Sequence, residues 1–238
     1  MSITQRVPRS KRSLADFWRH GDASWLSAAA SFTLEQVRPE GSSHRPKVRV
    51  RALHDEHSLA LRFDVSDRWV IARAEKLNDP VCRDACVEAF LRPLPDKGYF
   101  NFELNCCGVL HASYVEDWRR TAGGLEKATL FSPRDAELIQ RRHSLPAGSC
   151  RIEHEAPLEY WVELLVPCQA LERFVGPLPA LSSQAWTANF YKCADDSSHP
   201  HWLSWTPLKQ RNFHCPECFG ILDFDACETR ELESLPPR

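Results

Sequence analysis

Five polar residues in one short stretch have the chemistry to grip a ligand: Asp84, Glu88, Asn101, Glu103 and Asn105. Side chains alternate between the faces of an extended strand. Asn101, Glu103 and Asn105 therefore share one side of residues 99–106, and Phe100, Phe102 and Leu104 share the other. Glu88 falls with Phe90 and Arg92, opposite Val87, Ala89 and Leu91. A row of carboxylates and amides suits a ligand covered in hydroxyls, because hydrogen bonds to ionised groups are the strong ones. Glu88 and Glu103, facing each other across neighbouring strands, also suit the acid and nucleophile of glycoside hydrolysis. The plain alternative is the wet side of an antiparallel sheet.

The elements that must position this row form a three-stranded meander over 87–114. Pro95-Asp96-Lys97-Gly98 makes its first turn, since proline presets φ and glycine accepts positive φ. Gly108 marks the second. Before it, 47–53 and 59–65 alternate as a hairpin, with Val48, Val50 and Ala52 inward and Lys47, Arg49 and Arg51 outward. Further strands are expected at 31–37, 70–74, 137–143, 150–154, 158–166, 186–193, 202–205 and 219–224. One short helix is expected at 169–174, between Pro167 and Gly176. Residues 116–135 read as a long irregular segment around Gly123-Gly124. Residues 1–12 read as a loose basic segment, and 14–19 as a helical turn or an extended arm. Many short strands with one helix predict an all-β protein, a two-sheet antiparallel β-sandwich of immunoglobulin-like form. We divide the chain into an N-terminal tail or arm (1–30), one sandwich domain (31–226) and a C-terminal tail (227–238).

Composition narrows the partners. The chain has 238 residues, 43% of them hydrophobic, which is enough for one domain with a sizeable core. Its net charge of −2, with both signs mixed, predicts no nucleic-acid partner. No run is long enough to span a bilayer, so no membrane partner is expected. The ten cysteines lack a convincing leader peptide before them, and several stand in strands where a small apolar residue fits. We expect reduced thiols, no disulfide and a cytoplasmic protein.

Five separated segments then resemble a known family: DPVCRDACVE (79–88), YFNFELN, ANFYKC, LSW and NFHCPECFG (212–220). Together they are similar to the carbohydrate-binding module family 9-like domains, over roughly 47–224. The resemblance implies a two-sheet β-sandwich that holds the end of a glycan chain or a small sugar, in a stand-alone protein. Sugars offer hydroxyls for polar partners and C–H faces for aromatic rings. The expected carbohydrate-binding residues are therefore Asp84, Glu88, Asn101, Glu103, Asn105, Asn189, Tyr191, Lys192, Trp202 and Trp205. Trp69 is a further candidate platform. Asn189 and Tyr191 share a face, whereas Lys192 faces away unless a bulge intervenes. The resembling pattern usually has a tryptophan where this chain has Cys82.

Other constellations compete. Glu88 and Glu103 could make a glycoside hydrolase. Cys215-x-x-Cys218 beside His214, with His199 or His201, could make a metal-stabilised interaction module, although a structural zinc site needs four ligands. Cys82/Cys86 and Cys106/Cys107 lack redox CxxC spacing. Haem is disfavoured because the single methionine is Met1, and His111 reads as a surface or turn histidine. We expect a non-catalytic carbohydrate-binding sandwich whose partner is a mono- or oligosaccharide, with no cofactor, no bound metal and no catalytic residue.

Overall fold

Apolar alternation makes the first long hairpin. In the computed structural model, which describes residues 3–228, it comprises Lys47–His54 and Ser58–Asp67. In chain order the strands are β1 (Thr4–Arg9), β2 (Ala30–Thr33), β3 (Gln36–Val37), β4 (Lys47–His54), β5 (Ser58–Asp67), β6 (Cys86–Arg92) and β7 (Tyr99–Asn105). They continue as β8 (Leu110–Thr121), β9 (Gly124–Leu130), β10 (Gln140–His143), β11 (Leu158–Pro167), β12 (Ala185–Cys193), β13 (Trp202–Ser204) and β14 (Gly220–Glu228). The helices are α1 (Leu14–His20), α2 (Pro133–Glu137) and α3 (Cys168–Val175).

The main sheet path runs β10-β11-β5-β4-β1-β14-β12-β6-β7-β8-β9 and folds over into two layers. Inner faces of both layers supply one core. Val48, Val50, Leu61 and Phe63 meet Val87, Ala89, Phe100, Phe102 and Phe190 there, and the Phe63 and Phe190 rings lie 6.2 Å apart across it. As the alternation predicts, Phe100 and Phe102 are fully buried and Leu104 nearly so. The outer face of β5 and β11 is not bare. Leu14, Phe17 and Trp18 of α1 cover Ala60 and Leu165, because an i, i+3, i+4 spacing puts all three on one helix stripe.

The sheet is mixed rather than purely antiparallel. β1 runs parallel to β14 from Thr4 to Val7, shifts register between Val7 and Arg9, and then meets β4 at His54. Pro8 stands at the shift, where a residue without an N–H costs no ladder bond. β1 thus stitches the two layers together where the sequence reads a loose basic segment. Its charges hid it: Val7 is fully buried, while Arg9 pairs with Glu56 at 2.9 Å.

Other expectations need correction. Residues 116–135 are not irregular: β8 and β9 pair as a hairpin with two register shifts. Most of its outer residues are exposed, so no apolar period announces it. Among the described residues there are three α-helices: α3 where one was expected, α1 over the stretch read as a helical turn or an extended arm, and α2, which was not expected. α2 is capped by Ser132, whose side chain and that of Asp135 satisfy each other's backbone N–H, with Pro133 at the first turn. The expected strand at 137–143 therefore starts only at Gln140. Residues 70–74 and 150–154 make a single bridge, Val70 to His154. The Asp84 carboxylate takes the Arg73 and Ala74 N–H groups, at 2.8 and 3.0 Å, so no ladder can continue there. Of the expected tail, 227–238, the first two residues end β14, and the rest, with the Cys227 side chain, lies outside the described residues.

Candidate functional site

Strand register builds the site. Glu88 on β6 lies directly opposite Glu103 on β7, and Glu103 directly opposite His111 on β8. One residue pair further along, Asn101 faces Ser113. All these side chains line one cleft of about 510 Å³. Trp202, Phe213, Asp195 and Arg38 wall it on one side, and the β8–β9 hairpin, through Arg120 and Leu125, on the other.

The walls are braced. The Trp202 indole N–H donates to Asp195 Oδ1 at 2.7 Å, which fixes the ring. Arg38 lies 5.2 Å over the same ring and pairs with Glu40 at 3.4 Å. Phe213 stacks on Tyr191 with 4.1 Å between centroids.

The floor is electrostatically unequal. Asn101 Nδ2 donates to Glu103 Oε1 at 2.8 Å, and the Cys193 thiol donates to Glu88 Oε1 at 3.2 Å. Burial, then the nearby Glu103 charge, push the Glu88 carboxyl well above the usual range. Glu88 therefore reads as the protonated partner, able to donate as well as accept. His214 is also held neutral: burial lowers it to about 3, with Arg120 adding to the effect. Its Nδ1 meets the Tyr99 hydroxyl.

Of the ten expected residues, the structure brings Glu88, Asn101, Glu103 and Trp202 together on the cleft. The others stand behind it. Asn105 Nδ2 donates to Asp84 Oδ2 at 2.9 Å, while Asn105 Oδ1 accepts from the Val109 N–H at 2.9 Å. Asp84 and Asn105 thus clamp backbone. Asn189 Oδ1 accepts from the Phe190 and Thr206 N–H groups. The Tyr191 hydroxyl donates to the Phe213 carbonyl. Trp205 packs in the core against Phe32 and Phe190. Lys192 faces the opposite way, because β12 pairs with β6 without a bulge from Thr187 to Cys193. Trp69 stacks on His199, 3.5 Å between centroids, and does not line the cleft.

Sequence reading missed His111, Arg38, Asp195 and Arg120. His111 had a signal: counting register back through the Gly108 turn sets it beside Glu103. Arg38 and Asp195 come from distant segments that no local pattern links, and Arg120 lies further along β8, in the stretch read as irregular. Cys215 and Cys218 do not converge with a third ligand among the described residues, where three other His/Cys/Asp/Glu groups do. Among those residues no helix is long and apolar enough to cross a membrane.

Comparisons with known proteins agree with this architecture. A crystal structure of a proposed carbohydrate-binding protein from Bacteroides uniformis is 28% identical, with a TM-score of 0.81, and the match covers 94% of this chain and all of that one. Two structures of a carbohydrate-binding module from Caldicellulosiruptor kristjanssonii, one with cellotriose and one with glucose, share the fold. Each has a TM-score of 0.60 at 11% and 12% identity, over 99% of this chain and all of theirs. Among curated proteins none matches. The family model for carbohydrate-binding family 9 matches residues 25–224. The chain belongs to carbohydrate-binding family 9.

Proposed function

We propose that the cleft binds a small sugar or the end of a glycan chain and performs no chemistry on it. The observation that carries this reading is the cross-strand row Glu88, Glu103 and His111, walled by Trp202. Such a row presents two carboxyl groups, that of Glu88 held above the usual range, and an imidazole ring to adjacent hydroxyls, which want both donors and acceptors. The Trp202 ring offers a π face for C–H groups. The relatives with cellotriose and glucose set the first ligands to try. Eight of the nine thiols described as free are buried, which suits a reducing compartment and supports a cytoplasmic location.

Calorimetry with glucose, cellotriose and a panel of other small sugars tests the reading. Loss of a charge-assisted hydrogen bond in Glu103→Ala should weaken binding by about 10- to 100-fold. Trp202→Ala should weaken it by roughly fivefold, on the scale of one aromatic contact. A folded protein that binds no sugar, or folded variants that bind like wild type, would sink the proposal. Turnover of an aryl glycoside that disappears in Glu88→Gln or Glu103→Gln would turn the site into a hydrolase. The hydrolase reading has no support in the comparisons.

Cys82 gives a gain-of-function arm. It lines the cleft beside Glu88 and Glu103, and with Trp202 and Phe213 it packs against the small cluster of Val81, Cys86 and Cys193. Cysteine has no π face to offer. Cys82→Trp should tighten sugar binding by about fivefold, again one aromatic contact. Equal or weaker binding by a folded mutant would show that ligand does not reach this wall.

A further inference from the structure

Behind the polar row the cleft floor carries a second set of donors. Cys86 and Glu88 are two residues apart on β6 and share a face. Cys193 lies directly opposite Cys86 on β12. One ligand atom from each of Cys86, Glu88 and Cys193 falls within 4.8 Å of the others. Two of them, Cys193 Sγ and Glu88 Oε1, stand 3.2 Å apart. A tetrahedral zinc with bonds of roughly 2.3 Å to sulfur and 2.1 Å to oxygen sets such a pair about 3.6 Å apart. That pair needs to open by only a few tenths of an ångström.

Access favours occupation. Cys86 is fully buried, whereas Glu88 and Cys193 line the cleft, so an ion can enter from that side. Three protein ligands with one open position is the arrangement of zinc sites that engage a ligand. Once the donors have given up their protons, the ion offsets the charge of two thiolates and a carboxylate buried together. The other two donor clusters differ. Between His44, Asp67 and His201 the Lys192 ammonium already stands, 3.0 Å from Asp67 and 2.8 Å from His201. Cys106, Cys107 and Cys150 sit within the main core rather than on the cleft.

We propose that Cys86, Glu88 and Cys193 form a binding site for a zinc-class divalent cation, with its fourth position open to a hydroxyl of the cleft's ligand. The ion site stands by itself; only the hydroxyl contact rests on the sugar reading. Each donor binds deprotonated, so loading releases protons to water.

Titration of the full chain with cobalt(II) and zinc tests it. Cobalt held by thiolates shows sulfur-to-metal charge-transfer absorption. One equivalent per chain should bind. The bands should vanish in Cys86→Ala and Cys193→Ala and persist in Cys150→Ala. Zinc affinity should fall by more than the ~100-fold that loss of an outer-shell partner costs. Glu88→Gln, nearly isosteric, should keep the sulfur bands and weaken cobalt binding, which covers the case of cysteine variants that do not fold. No thiolate bands in wild type would overturn the site. So would bands that survive both cysteine variants and vanish in Cys150→Ala. Glucose and cellotriose are then titrated with and without zinc, and zinc should tighten binding by about tenfold. Sugar binding without zinc uptake overturns the ion site alone. Zinc uptake without sugar binding supports the ion site and overturns the sugar reading. Equal sugar affinity with and without zinc overturns the hydroxyl contact.

Discussion

Lys192→Met should lower the free energy of unfolding by about 3–5 kcal/mol, because it leaves a buried carboxylate without its cation. Lys192 is 0% exposed. Its ammonium has three donors and the structure gives it three partners: Asp67 Oδ2 at 3.0 Å, His201 Nε2 at 2.8 Å and the Cys193 carbonyl at 3.0 Å. Asp67 ends β5 in one layer and Lys192 belongs to β12 in the other, so the pair ties the layers together. Burial alone would raise the Asp67 carboxyl; Lys192, then the His44 hydrogen bond, hold it well below the usual range instead. Methionine replaces the stem and its packing but not the charge. Replacing the partner as well removes the stranded charge, so Lys192→Met with Asp67→Leu should lose less than Lys192→Met alone. Urea denaturation of the three proteins measures this. A single-variant loss below about 1 kcal/mol, the scale of an exposed pair, would show that the ammonium is not what neutralises Asp67.

This lysine also shows what a sequence can and cannot reveal. Strand parity alone places Lys192 away from Tyr191, and an unbroken β6–β12 register keeps it there. The alternation of Phe100, Phe102 and Leu104 likewise marks the core face of β7, and it puts Asn101 and Glu103 on the cleft side. Parity does not say how far along a strand a cleft extends. Asn105 shares the parity of Glu103, yet it sits at the strand end, where its amide serves the turn N–H groups of Cys107 and Val109. Asp84 is drawn in the same way to backbone N–H groups, which outbid a ligand because they are always present. Apolar period was blind to β1 and to the β8–β9 hairpin. Backbone ladders hold β1, the outer half of β8 and β9 with few buried side chains. Arg38 and Asp195 reach the cleft from segments on either side of it in the sequence, and only the closed sandwich brings them together.

His201 gives the sharpest pH dependence. Burial, then the adjacent Lys192 ammonium, lower it to about 3, against the pull of Asp67. Lys192, Asp67 and His44 are the charged and titratable groups facing it, and its Nδ1–H donates to the His199 carbonyl at 2.9 Å. The folded-state value lies below the unfolded value of roughly 6.5, so between the two only the unfolded chain takes up the proton. Neutral His201 therefore contributes fully above pH ~6.5, and that contribution drains away as pH falls toward 3. Other groups pull both ways over the same range: His214 falls with it, while the raised Glu88 carboxyl runs opposite. A difference between two proteins cancels those shared terms. In His201→Gln the amide oxygen can still accept from Lys192, but nothing titrates there. The stability gap between wild type and His201→Gln should thus shrink on acidification with a slope that approaches about 1.4 kcal/mol per pH unit, or about 2.3 kcal/mol from pH 6.5 to 4.5. Denaturant titrations of both proteins at half-unit pH steps read the gap directly. A gap that stays constant across that window would mean His201 takes up its proton in the folded protein as readily as in the unfolded chain, and that burial beside the Lys192 ammonium does not hold it neutral.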